Sequence, residues 1–265
     1  MNELIEYVMN ETGATSPLLA WAMLVVGGLI IIFSLVGIGI SLFLFVKYNH
    51  LNHKKNSCGM TGLEAARKIL DDNDLNNIKI KCTGSMIWGN SYSHYFKKLR
   101  LRRFTYKKNS VTSLAMAAEK SSLAVLDKEG DTDMKRRNVL IPLQFFGPLM
   151  FIPLVVIGVL IDIAVANTGF IATAVCAGLG IALYAASFAL TVVILKVETK
   201  AQRRSLEILK EEGLATEEEL ADIKELYKYY NLEYINNMII AFLELLLRIL
   251  QIVAASQGVK TGSKD

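Results

Sequence analysis

Residues 18–46 read LLAWAMLVVGGLIIIFSLVGIGISLFLFV and contain no charged side chain. An α-helix needs about 20 consecutive apolar residues to cross the hydrocarbon of a bilayer, so this run is long enough to span with some tilt. The preceding MNELIEYVMNETGATS has no Lys or Arg and carries Glu3, Glu6 and Glu11. A cleaved signal peptide would have a basic leader and a shorter apolar core, so the run is expected to be an anchor. Three further apolar runs follow at 139–165, 168–195 and 234–255. The middle two are separated only by residues around Ala166 and Asn167, which predicts a tight helical hairpin with Asp162 near its turn. The chain is 52% hydrophobic and still 20% charged, with the charges gathered into two blocks between the runs. That segregation excludes an ordinary soluble core. The expected fold class is a mainly α membrane protein with about four transmembrane helices and a small cytoplasmic α+β domain.

Orientation follows from Lys and Arg. Segment 1–17 has none, block 47–137 has 19, the hairpin turn has none, block 196–233 has 7, and the tail 256–265 has two, Lys260 and Lys264. These counts alternate correctly for four spans in a plasma membrane, with both termini and the tail extracytoplasmic and both blocks cytoplasmic. Block 47–137 holds 19 basic against 9 acidic residues, a net charge of +10. Tethered at a cytoplasmic leaflet, it should be drawn to anionic lipid headgroups by about 1 kcal/mol per well-placed cation. The tether makes lipid a better expectation than nucleic acid, and no nucleic-acid partner is expected. Cys58, Cys82 and Cys176 are odd in number and far apart, which argues against a disulfide framework.

Within the basic block, TGLEAARKILDDNDL opens with Thr61 and has Glu64 three residues on, a capping box ahead of a short helix. NNIKIKC alternates like a strand and KLRLRRFTYK like a second. Ser110 then opens a helix, SVTSLAMAAEKSSLAVLD, with Leu114 and Ala118 on its buried side. In block 196–233, KVETKAQRRSLEILKEEG predicts a helix capped by Gly213, and Thr216 followed by three glutamates restarts one. With 10 acidic and 7 basic residues, this block reads as a solvated, helical segment. Glu244 and Arg248, four residues apart in the last run, can pair on one helix face. Gly178, Gly180, Ala182 and Ala185 form a small-residue face suited to close helix packing. Phosphate-binding loops, nucleophile elbows and EF-hands are not found in the sequence.

TGLEAARKIL and VETKAQRR, in this order with an SVTSLAMAA helix and a hydrophobic hairpin between them, resemble the neutral zinc metallopeptidases of membranes. The resemblance runs from about Thr61 onward. It implies an HExxH zinc motif on the helix after SVTSLAMAA, where two His would ligate the metal and the Glu act as base. Those positions are Glu119, Lys120, Ser121, Ser122 and Leu123 in this sequence. Glu119 could offer oxygen, but Lys120 is a cation where the base belongs and Leu123 has no ligating atom. The family's third ligand corresponds to Glu198, which is present. The family's Asp-His pair near the substrate falls within Trp88–His94, on Asn90 and Ser91.

Zinc hydrolysis needs about three protein ligands, an open position and a base. The expectation is therefore a degenerate member with no catalytic residue, no metal and no cofactor, acting as a binding or scaffold subunit beside other membrane proteins, as a homo- or hetero-oligomer. The alternative is a peptidase with substituted ligands Glu119, Glu198 and His94. His50 and His53 fit interfacial anchors just past the first run. A transporter has little support beyond Glu244 and Arg248.

Overall fold

A computed structural model of the chain describes residues 2–14, 16–84, 89–165 and 170–262. The turn at Ala166 and Asn167, and Trp88, lie outside the described residues. Eight helices and three strands are described: α1 (Asn2–Thr12), α2 (Pro17–His53), α3 (Gly62–Asp72), β1 (Lys79–Thr83), β2 (Ser91–Ser93), β3 (Lys98–Arg102), α4 (Arg103–Lys107), α5 (Val111–Lys128), α6 (Thr132–Ala164), α7 (Ile171–Glu211) and α8 (Glu217–Gly262). Among the described residues three helices are long and apolar enough to cross a membrane: Pro17–His53, Ile171–Glu211 and Glu217–Ala254. In α6 the described residues contribute a shorter apolar stretch, Leu149–Ala164. The chain divides into two compact units, one of residues 1–39, 142–191 and 235–265, the other of 40–141 and 192–234.

In the first unit, α1 is an element that the sequence reading lacks. Its Val8 and Met9 pack with Met23, Leu247 and Leu250 around the buried Ala14 and Ala254. Asp162 caps α7: its carboxylate accepts from the backbone N–H of Ala172 at 3.1 Å and of Thr173 at 2.8 Å, and from the Thr173 hydroxyl at 2.6 Å. That satisfies two of the orphan donors at a helix start and favours the negative charge there. Gly158 lets α6 and α7 approach, since a Cβ there would lie 2.6 Å from the Thr173 Cα. Gly180 packs on Phe151 as a small-residue contact should, but Gly178, Ala182 and Ala185 are exposed. The buried stripe of α7 runs instead through Ala177, Gly180, Tyr184, Ser187 and Leu190.

The second unit is built around α5. Ser110 is its N-cap, as expected, with its hydroxyl accepting from the Ser113 N–H. Every residue from Val111 to Leu126 except Lys120 is buried, so the helix is enclosed on all sides and not along one stripe. Small side chains (Ala115, Ala117, Ala118, Ala124) let neighbours close around it at native density. The sheet has order β1-β3-β2, with β1 parallel and β2 antiparallel to β3. Leu99 and Leu101 of β3 and Tyr92 of β2 join the core.

Three expectations change here. KLRLRRFTYK is a strand only to Arg102, because RFTYK turns into the short helix α4. A third strand, β2, lies in SYS, where none was read. Segment 196–233 is not a solvated appendage: Val197, Ala201, Ile208, Leu209, Ile223, Leu226 and Tyr227 are buried in the core that surrounds α5. Its charges hid that amphipathic face.

The capping box at Thr61 forms as read, with side chain and backbone partners exchanged between Thr61 and Glu64. Gly62 in the same motif is required by packing. A Cβ there would sit 2.0 Å from the Thr105 carbonyl oxygen. Gly213 ends α7 at φ +64, and Thr216 and Glu219 form a second capping box that starts α8. Glu219 also accepts from the Ser57 backbone at 2.7 Å and from its hydroxyl at 2.5 Å, so this helix start holds the loop after α2.

Candidate functional site

The centre of the second unit holds charge that an apolar core would normally exclude. Glu119 and Lys120 are consecutive on α5, while Glu198 and Gln202 lie one turn apart on α7 and so share a face. Lys120 Nζ donates to Glu198 Oε2 at 2.7 Å and lies 3.2 Å from Glu119 Oε2. One ammonium thus joins a carboxylate of its own helix to a carboxylate of the neighbouring helix. Arg137, from the start of α6, donates to the other Glu198 oxygen at 3.2 Å. Gln202 Nε2 donates to Glu119 Oε1 at 3.0 Å, and Asn231 of α8 donates to Gln202 Oε1 at 2.8 Å.

All four charged side chains are largely removed from water, with Glu119 and Arg137 7% exposed, Lys120 14% and Glu198 18%. Two acids face two cations, so the cluster is formally neutral; buried charge is tolerated only when so paired. Burial raises the proton affinity of Glu119 above the ordinary carboxylate range, with Lys120 opposing and the Glu198 charge adding to the rise. Burial alone would lower the Lys120 pKa, but Glu119 and Glu198 outweigh it and raise it above the ordinary lysine value. The two shifts point one way: Lys120 stays charged, and Glu119 is the carboxyl on which its hold is weaker. Nearby, the Tyr227 hydroxyl donates to the Ala115 carbonyl at 2.7 Å and meets Ser205 at 3.0 Å, so the α5 backbone is tied to α7 and α8. A cleft of about 350 Å³ opens onto the cluster, bordered by Tyr48, Asn90, Tyr230, Asn231 and Tyr234.

The structure therefore brings Glu119, Lys120 and Glu198 together. Leu123 is fully buried among apolar neighbours. His94 is elsewhere: its Nδ1 lies 2.5 Å from Asp127, whose carboxylate also accepts from Tyr92 at 2.6 Å and Asn138 at 3.0 Å. That cluster lines a separate cavity of about 460 Å³ and not the cleft at Glu198. His50 and His53 are exposed in the last turn of α2, where the His53 ring meets the Asn49 carbonyl. Asn90 has a local task, accepting from the Arg102 N–H at 2.7 Å and donating to the Thr105 hydroxyl at 3.2 Å. In the first unit Glu244 and Arg248 form no salt bridge with one another. Tyr184 donates to Glu244 at 3.1 Å, and the Arg248 guanidinium lies 4.9 Å over the Phe151 ring. Arg137, Gln202 and Asn231 are the members of the central cluster that sequence reasoning missed; Gln202 stands within VETKAQRR without a role read for it, and only the convergence on Glu198 and Glu119 reveals them.

Residues 18–254 match the family described as "Putative neutral zinc metallopeptidase". The chain belongs to this family. A relative in Bacillus subtilis, described as "Putative membrane protease YugP", is 26% identical over 209 residues, covering 76% of this chain and 84% of the relative. No solved structure matches the chain.

A zinc metallopeptidase family implies a metal, and the residues at this site do not fit one. Among the described residues, no three His, Cys, Asp or Glu side chains gather closely enough to hold an ion. The two carboxylates that converge, Glu119 and Glu198, are both committed to Lys120, whose ammonium would repel a dication. No hydrolytic step can be derived from these groups.

Proposed function

We propose that this chain is a non-catalytic member of the metallopeptidase family, retained in the membrane as a binding or scaffold subunit. The observation that carries the reading is the Lys120 ammonium between Glu119 and Glu198, 3.2 Å from one and 2.7 Å from the other. A base is needed beside a metal, and a buried lysine held in its charged form can neither take a proton nor tolerate zinc beside it. The alternative ligand set loses its third member, because His94 is engaged with Asp127 in another cavity.

In this reading the protein has four spans, with α6 supplying the second, and the unit around α5 faces the cytoplasm of a plasma membrane. The distribution of Lys and Arg supports that orientation. Its partners are other membrane proteins, in a homo- or hetero-oligomer, met through the exposed apolar side of α2, where Leu35, Ile38 and Leu42 are each about 60% exposed.

The test is metal analysis and peptidase assay on protein purified from zinc-supplemented cells. Zinc far below one ion per chain, and no chelator-sensitive cleavage of casein, are the expected results. One tightly held zinc per chain together with chelator-sensitive cleavage would sink the proposal.

A further inference from the structure

The outer face of the sheet carries an arrangement that folding alone disfavours. Leu99 and Leu101 are fully buried, so Lys98 and Arg100 occupy the opposite side of β3. The parallel register sets Lys79 of β1 directly beside Lys98, and Lys81 beside Arg100. Like charges facing each other across a strand pair are destabilising, and a sheet selected only for stability would alternate their signs. Leu75 to Ala118 contains nine Lys and Arg and no Asp or Glu.

Elsewhere in the unit many lysines are paired, though Lys55, Lys135, Lys224 and Lys228 form no salt bridge among the described residues; the cations of this face differ in standing in register with like charge. Lys47, Lys54, Lys68, Lys120, Lys128, Lys196 and Lys200 each form at least one salt bridge. Among the described residues Lys79, Lys81, Lys98 and Arg100 form none. At the end of this face, the turn into β3 projects Phe96, 63% exposed, while the Tyr95 hydroxyl turns to the Asn138 carbonyl at 3.2 Å. Lys98 Nζ lies 5.4 Å over the Phe96 ring, which joins the aromatic turn to the cationic face.

We propose that this face docks on an anionic lipid bilayer, with Lys79, Lys81, Lys98 and Arg100 against headgroup phosphates and the Phe96 ring at the headgroup–acyl boundary. Unneutralised cations beside an exposed apolar ring suit such an interface, where the charges meet anionic headgroups and the ring can leave water. Nucleic acid would satisfy the charges too. Lipid is favoured because helices of membrane-spanning length belong to the same chain and hold a bilayer within reach.

The test uses the full chain in nanodiscs. Phe96→Trp is introduced with Trp21→Phe and Trp88→Phe, so that one indole reports the turn. Nanodiscs contain doxyl-labelled phosphatidylcholine, with or without phosphatidylglycerol. The expected result is strong quenching with phosphatidylglycerol, and several-fold weaker quenching without it or at high salt. Replacing Lys79, Lys81 and Arg100 by Gln should weaken docking about five-fold per charge and abolish the quenching. The same variant should unfold no lower than its parent, because repulsion has been relieved. Equal quenching in the two lipids, persistence of quenching in the triple variant, or a lowered unfolding temperature for it would each overturn the proposal. So would an indole unquenched in anionic discs whose emission responds to a single-stranded oligonucleotide.

Discussion

Replacing Lys120 with Met keeps most of the side-chain volume and removes the one charge shared between α5 and α7. Glu198 would retain only Arg137, at 3.2 Å, and Glu119 only the neutral Gln202, at 3.0 Å. Two carboxylates would then face each other in a site where both are less than a fifth exposed. Removing one partner from a buried ion pair costs about 3–5 kcal/mol, because the remaining charge is left uncompensated. For a chain of this size that lowers the unfolding temperature by roughly 10 °C. The assay is thermal unfolding in detergent followed by circular dichroism, at neutral pH and at pH 5. The deficit should shrink at pH 5, since Glu119, whose proton affinity burial already raises, can neutralise itself. Adding Glu119→Gln to Lys120→Met should recover a large part of the loss at neutral pH for the same reason. A Lys120→Met protein as stable as the parent, with no response to pH or to the second substitution, would refute the view that this ammonium holds the two helices together.

Gly62→Ala should destabilise the second unit by about 3 kcal/mol, because its Cβ meets a backbone oxygen that cannot move without disturbing α4; chemical denaturation would measure it. The triple substitution Glu119→His, Lys120→Glu and Leu123→His should lower stability without metal, by burying imidazole in place of Leu123, and should gain about one zinc per chain by metal analysis. Zinc should raise its unfolding temperature and leave the parent's unchanged. In the parent, the raised Glu119 proton affinity means that the folded state holds this proton more tightly than the unfolded state. Its contribution is therefore present below the ordinary carboxylate value of 4.5 and is lost as pH rises through the folded value. Glu119→Gln should flatten that part of the stability–pH curve. The raised Lys120 value acts at the other end, contributing below 10.5 and declining only under strongly alkaline conditions.

Much of this protein was legible before any tertiary contact was known. The apolar runs at 18–46 and 234–255 fall within α2 and α8, and the run at 168–195 overlaps α7 from Ile171 on, because helix length against bilayer thickness is a one-dimensional criterion. Caps at Thr61, Ser110, Gly213 and Thr216 were readable for a similar reason, since each depends on residues three or four positions apart. The pairing of Glu119 and Glu198 with one site came from motif order, not from geometry.

What the sequence could not supply was everything that depends on distant residues meeting. Enclosure of α5 on all sides cannot be seen in its own pattern, because its neighbours come from distant segments, Tyr227 lying 112 residues from the Ala115 it contacts. Glu244 and Arg248 have the spacing of a helix pair, yet tertiary neighbours offer Tyr184 to one and the Phe151 ring to the other. His94 and Glu198 looked available to one another until the fold gave His94 to Asp127. Sequence alone determined that Lys120 stands where a base would be expected. Only the tertiary structure decided that its ammonium lies between two carboxylates of different helices, because that requires α5 and α7, 78 residues apart at this contact, to bring their charges within hydrogen-bonding distance.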